Sequence, residues 1–229
     1  MRLSNAECKR RAVRLDSRVK RREICAGMNL YQRVLGMPFV YNHVRPMAVG
    51  GIDMSPFYNR AQTSASDVVL DVGCGTGDAL RYLKGFAVYE DIDTDEVAIG
   101  FARKAYGDRP NVSFKCQLCT EQDVAQIEPT RVLLCGLLHH LSDEQALGLL
   151  SSLKASPKLQ RIVTSDIVYL ERSAISNWLA SMDRGRFCRH RPEYEALARQ
   201  AGLRVVESEV VPCHPKHGLA KYLMMTLEP

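Results

Sequence analysis

The chain has 229 residues, with 31 Lys and Arg against 26 Asp and Glu, a formal net charge of +5 and eight cysteines. That length supports one domain with a full core and room for a small appendage. No apolar run reaches the roughly 20 residues of a membrane span, and the basic start has no apolar leader core, so a cytoplasmic protein with reduced thiols is expected.

Residues 1–23 hold nine Lys or Arg and three acids, so the excess charge sits there and the remainder is close to neutral. A basic helical arm of this kind suits nucleic acid, through residues 9–22, or an acidic surface. Leu3, Ala6, Ala12, Leu15 and Val19 also recur at near-helical spacing, so the arm equally suits packing on the domain. Residues 24–35 read as a helix and 39–46 as an aromatic, apolar segment. Gly50-Gly51 and Ser55-Pro56 punctuate the chain before a short helix at 57–62. Tyr31 and Tyr41 are candidate walls of a substrate pocket, or plain core aromatics.

From residue 67 onward strands alternate with helices, the pattern of a parallel sheet covered on both faces. Strands are predicted at 67–72, 86–92, 112–116, 131–136 and 161–167. Helices are predicted near 77–84, 95–106, 121–126, 143–154 and 191–201. Two further strands follow at 203–211 and 220–227. Ser142 and Gln145 have capping-box spacing, and Gly202 is a candidate helix stop.

The first strand runs into Asp71-Val-Gly73-Cys74-Gly75-Thr-Gly77, a turn whose glycines allow left-handed backbone and close approach to a ligand. Its G-x-G-x-G spacing departs from the G-x-G-x-x-G of dinucleotide sites, which argues against a nicotinamide oxidoreductase. The second strand ends in Asp93, an acid able to accept hydrogen bonds from a ribose diol, with Asp91 as its competitor. Cys116-Gln-Leu-Cys119 has C-x-x-C spacing without a second pair nearby, so zinc is not expected there and no metal site is legible.

These stretches resemble the class I S-adenosylmethionine (SAM)-dependent methyltransferases. Residues 71–77 are similar to that family's first motif, 91–103 to its second, and Val132-Leu-Leu-Cys-Gly-Leu-Leu-His-His-Leu141 to the fourth-strand segment of its small-molecule branch. The resemblance covers 65–153 in motif and, more loosely, the chain to its end. It implies an α/β fold with a doubly wound, seven-stranded, mostly parallel Rossmann-like sheet, an antiparallel last strand and an N-terminal helical lid. It divides the chain into a basic arm and lid at 1–64 and a SAM-binding catalytic domain at 65–229, with a substrate-covering insertion near 168–190.

For the cofactor, the resemblance implies that Asp71, Gly73, Cys74 and Gly75 shape the loop against the methionine half, with Asp71 either near the ammonium or ordering the loop. Asp93 holds the ribose, and Gly136 lets the methionine portion pass. The third strand departs from the family in having no acid until Glu121 and Asp123, which leaves the backbone at Leu118 and Cys119 to read adenine. His139 and His140 are candidate catalytic bases, or a pair that only packs and caps the loop. Asp166 orients a histidine or substrate, or caps a turn. In the arginine-rich stretch 183–191, Arg186 and Arg189 are candidate forks for an anionic substrate, or a solvated basic loop.

The leading expectation is methyl transfer from SAM to O or N of a small, possibly anionic or aromatic metabolite. An RNA or protein methyltransferase using the basic arm stands second, although the fourth strand has no base-holding Asn/Asp-Pro-Pro-Tyr motif and no Pro-Cys. A non-catalytic SAM-binding partner stands third. Oligomeric state is not legible.

Overall fold

The computed structural model describes residues 52–229 apart from Cys74, Arg184 and His217. The basic arm, the helix expected at 24–35 and the aromatic segment at 39–46 lie outside the described residues. Residues Val49–Pro229 form one compact unit. Among the described residues no helix is long and apolar enough to cross a membrane.

Five parallel strands make the heart of the sheet: β1 (Val68–Val72), β2 (Val88–Asp93), β3 (Val112–Cys116), β4 (Arg131–Cys135) and β5 (Arg161–Tyr169). A two-residue β6 (Arg189–His190) pairs with the end of β5. β7 (Arg204–Pro212) and β8 (Lys221–Glu228) close the edge, giving the order β3-β2-β1-β4-β5-β8-β7. β8 inserts between β5 and β7, antiparallel to both. The expected seven strands are therefore present, with β6 as an addition.

Both faces of this sheet are covered, which is why its central strands read as near-continuous apolar runs rather than alternating ones. Side chains still alternate between two cores. Leu70, Val132, Leu134, Ile162 and Leu223 enter one of them, with Leu150, Tyr194 and Leu197 from the helices. Val69, Leu133, Val163 and Met224 enter the other, with Phe57, Tyr89, Ile99 and Ala102.

The helices are started by their own sequences. In α1 (Ser55–Ala61) a proline sits in the first turn, and the helix ends at Gln62 in left-handed conformation. Asp95 caps α2 (Glu96–Tyr106) by accepting from the N–H groups of Val97 and Ala98. Capping boxes open α3 (Glu121–Ile127) with Thr120 and Asp123, and α4 (Asp143–Ser152) with Ser142 and Gln145. After α5 (Ala174–Ser181) comes α6 (Arg191–Gln200), and Gly202 at φ 75° turns the chain into β7.

One expected helix differs in the structure. The helix expected at 77–84 is a single 3₁₀ turn, Asp78–Arg81. Gly77 is left-handed immediately before it, and the short interval to Gly85 cannot offset the cost of nucleating an α-helix. The short helix expected at 57–62 runs over Ser55–Ala61, with Phe57, Tyr58 and Ala61 buried in the sheet core. Replacing Phe57 with Ala is expected to cost about 3–5 kcal/mol in urea unfolding. A loss below about 1 kcal/mol would detach α1 from the core.

Candidate active site

Chain order reverses between β1 and β4, which pair in parallel. In such sheets the crevice beyond the carboxyl ends at the reversal is where ligands sit. Here the loop after β1 carries Gly73, Gly75 and Gly77 at φ 74°, 63° and 75°. The Gly73 N–H donates to Ile92 O at 2.9 Å. The Gly75 N–H donates to Asp93 Oδ2 at 2.8 Å, and Asp95 N–H to Asp93 Oδ1 at 2.8 Å. Among the described residues, a Cβ on Gly75 would meet nothing within 4 Å. One on Gly73 would lie 3.0 Å from Leu137 Cδ1, so the loop after β4 rests directly against the glycine loop. Gly136, at φ 66°, turns the end of β4 away and donates to Ser165 O at 2.7 Å. At the end of β3, Leu118 is 75% exposed and Cys119 is half-buried.

The two acids of β1 and β2 behave differently from Asp93. Asp71 and Asp91 lie opposite each other in register, and both are buried. The Tyr89 hydroxyl donates to Asp71 Oδ2 at 2.8 Å and lies 3.5 Å from Asp91 Oδ2. Asp91, at 0% exposure, therefore does not reach the crevice, whereas Asp93 lies at its rim. Asp71 lies buried just before the loop, bonded to the Tyr89 hydroxyl.

The loop after β4 forms a 3₁₀ turn, Leu138–His140, that separates the histidine pair. His139 is 3% exposed, while His140 is exposed. Asp166, near the end of β5, accepts from His139 Nδ1 at 2.8 Å and from the His139 backbone N–H at 3.1 Å. Of the alternatives the sequence left for Asp166, the structure places it on a histidine of the pair. Sequence reasoning missed the third member, Asp183, whose Oδ1 lies 3.1 Å from His139 Nε2. The signal was an acid followed by Arg184 and Gly185, in a stretch read only for its cations. Gly185 is required there, since a Cβ would fall 2.1 Å from His139 Cδ2.

Arg189 corrects a sequence expectation. Its guanidinium is buried and donates to Leu138 O, Leu141 O, Phe187 O and Asp143 Oδ1 at 2.7–2.9 Å, so it ties the segment after α5 to the histidine loop instead of meeting substrate. Arg186 is exposed. Cys74, Tyr31 and Tyr41 lie outside the described residues.

A family model described as a methyltransferase domain matches residues 69–158. Over those residues the chain is similar to methyltransferase domains. Among solved structures, the methyltransferase in complex with the Haloferax volcanii Trm112 methyltransferase activator superimposes with a TM-score of 0.61 at 17% identity, over 83% of this chain and 96% of that one. Mitomycin 7-O-methyltransferase gives 0.60 at 17%, over 89% of this chain and 62% of its own. The magnesium protoporphyrin IX methyltransferase of Synechocystis PCC 6803, solved with SAM bound, gives 0.55 at 16%, over 86% and 88%. These likenesses show the fold. No curated protein sequence matches the chain.

The residues around this crevice fit SAM as a cofactor. Asp93 uses one bond per carboxylate oxygen on the protein, and an ionised carboxylate has about four acceptor sites, so a diol can still be held. Leu118 offers an exposed apolar surface at the end of β3, where an aromatic base can rest.

Burial pushes the Asp71 carboxyl up to about 7; the Asp93 charge adds to this, and the Tyr89 hydrogen bond opposes it. Burial likewise pushes the Cys135 thiol up, reinforced by the Asp71 charge. The Asp71 shift makes stability depend on pH. Because the folded state holds this proton more tightly than the unfolded chain, stability from Asp71 is complete below about pH 4 and is lost as pH rises toward 7. Asp71→Asn should remove that slope. The difference in unfolding free energy between wild type and variant, measured by urea at pH 4.5 and 7.5, should shift in favour of the variant at the higher pH. An unchanged difference would mean that Asp71 ionises normally.

Proposed function

We propose that this chain transfers the methyl group of SAM to an oxygen or nitrogen of a small metabolite. The observation that carries the reading is the Gly75–Asp93 bond where chain order reverses, with the histidine loop packed against the same glycine turn. When bound, SAM supplies a methyl on a positively charged sulfur, which an acceptor lone pair displaces in line; the C–S bond breaks as the new C–O or C–N bond forms.

The chain's part is mainly positioning, which can supply much of the rate in such a displacement. Gly73 and Gly75 let the loop backbone approach the methionine half, Gly136 leaves it room, and Asp93 holds the ribose. Leu118 and the Cys119 backbone face adenine. His140 is the histidine an acceptor can reach. Asp166 acts only through His139, whose ring is sealed from the crevice.

A small acceptor is favoured over a nucleic acid because the β4 end, Cys135-Gly136-Leu137-Leu138, has no group that grips a base. Burial also keeps Cys135 a thiol rather than a nucleophilic thiolate. Mitomycin 7-O-methyltransferase and the magnesium protoporphyrin IX enzyme, by their names, act on small molecules, which supports the same reading.

Asp93→Ala should weaken SAM binding roughly 10–100-fold, the equivalent of losing charge-assisted hydrogen bonds, as read by calorimetric titration. Binding unchanged in the variant would remove Asp93 from the cofactor site. For the acceptor, methyl-labelled SAM incubated with the enzyme and cell extract should carry label into the small-molecule fraction. Label in RNA or protein would overturn the metabolite reading.

A further inference from the structure

His139 is held in an arrangement that a packing role does not explain. Its Nδ1–H is committed to Asp166, so Nε2 carries either a lone pair or a second proton. Nε2 is buried and has no hydrogen-bond partner, although Asp183 Oδ1 lies 3.1 Å away. The carboxylate is within reach but off the line that a hydrogen bond from the ring requires. Asp183 Oδ1 also accepts from the Gly185 N–H at 2.9 Å, and both side chains are withdrawn from water, so a lone pair on Nε2 would face a carboxylate unless a proton or a metal ion lies between them.

A third donor is at hand. His139, His140 and Asp183 each place a ligand atom within 4.8 Å of the other two, and the histidine rings are 4.2 Å apart between centroids. Metal–nitrogen and metal–oxygen bonds to such ligands are about 2.0–2.2 Å, so two of them around one ion lie roughly 3.0–3.4 Å apart between octahedral and tetrahedral angles. An off-line carboxylate at 3.1 Å is thus what two neighbouring ligands of one ion look like.

We propose that His139 Nε2, an imidazole nitrogen of His140 and the Asp183 carboxylate form a binding site for a divalent first-row transition metal ion. Asp166 is its outer partner. By accepting from Nδ1–H it fixes the tautomer that presents Nε2 and orients the ring, the usual carboxylate–histidine arrangement behind a metal. Two imidazoles and one carboxylate suit Zn²⁺, Fe²⁺, Co²⁺ or Mn²⁺ and leave positions open on the ion. Leu137, two residues before His139, rests on Gly73, so the site adjoins the cofactor loop. In the setting of the methyl-transfer reading, the open positions take an acceptor oxygen and favour its deprotonated form. Binding of the ion itself does not depend on that reading.

The test is titration of the full chain, first treated with a chelator, with CoCl₂ in the absence of SAM, followed by calorimetry and visible absorption. One equivalent should bind without a sulfur-to-cobalt charge-transfer band. Binding should vanish in His140→Ala, an exposed position whose loss leaves the fold intact, and in Asp183→Asn. It should weaken roughly 10–100-fold in Asp166→Asn. Absence of binding, or binding unchanged in His140→Ala, overturns the proposal. A charge-transfer band that persists in His140→Ala also overturns it, placing the ion on thiols such as Cys116 and Cys119.

Discussion

The parallel pairing of β1 with β4 is the constraint on which the rest depends. The chain leaves β1 outward to β2 and β3, then returns to the opposite side of β1, so connections on the two sides diverge at one edge. Backbone that diverges there leaves a crevice, and the loops after β1 and β4 must meet across it. They do so through Gly73 and Leu137, where a Cβ on Gly73 would fall 3.0 Å from the Leu137 side chain. Cofactor loop and histidine loop are therefore parts of one surface, although some sixty residues of chain separate them.

That same edge collects buried acids. Asp71, Asp91 and Asp166, with the side chain of Asp183, are withdrawn from water at or near the carboxyl ends of the strands. Burying carboxylates is costly unless each finds a donor or a cation. Asp71 and Asp91 share the Tyr89 hydroxyl, and Asp71 keeps its proton toward neutral pH. Asp166 and Asp183 converge on one imidazole. A fold built for stability alone would fill these positions with apolar side chains; keeping acids there is the signature of a site.

The segment between β5 and α6 connects these parts. Arg189 carries its charge into the interior and spends its donors on carbonyls of the histidine loop and on Asp143. Phe187 N–H donates to His139 O at 3.0 Å, and Gly185 passes close over the ring. Held this way, the segment delivers Asp183 to His139, and β6 pairs with the end of β5.

Much of this was legible in the sequence by itself. The central strands announce themselves as apolar runs because both faces are buried, and the helix starts at Thr120 and Ser142 because their caps are local chemistry within four residues. The glycine turn and Asp93 were legible for the same reason: a left-handed loop and a strand-end acid are short-range requirements. Motif spacing favours Asp93 over Asp91, and in the structure Asp91 is completely buried while Asp93 is not. What only the tertiary structure decided is which distant residues meet. Arginines in the 183–191 stretch read as an anion fork until the fold turned Arg189 inward, and Asp183 had no meaning until it faced His139. Local sequence encodes backbone conformation and burial through short-range sterics and hydrophobicity. The partner of a charged side chain is set by packing between elements far apart in the chain, and no local pattern records it.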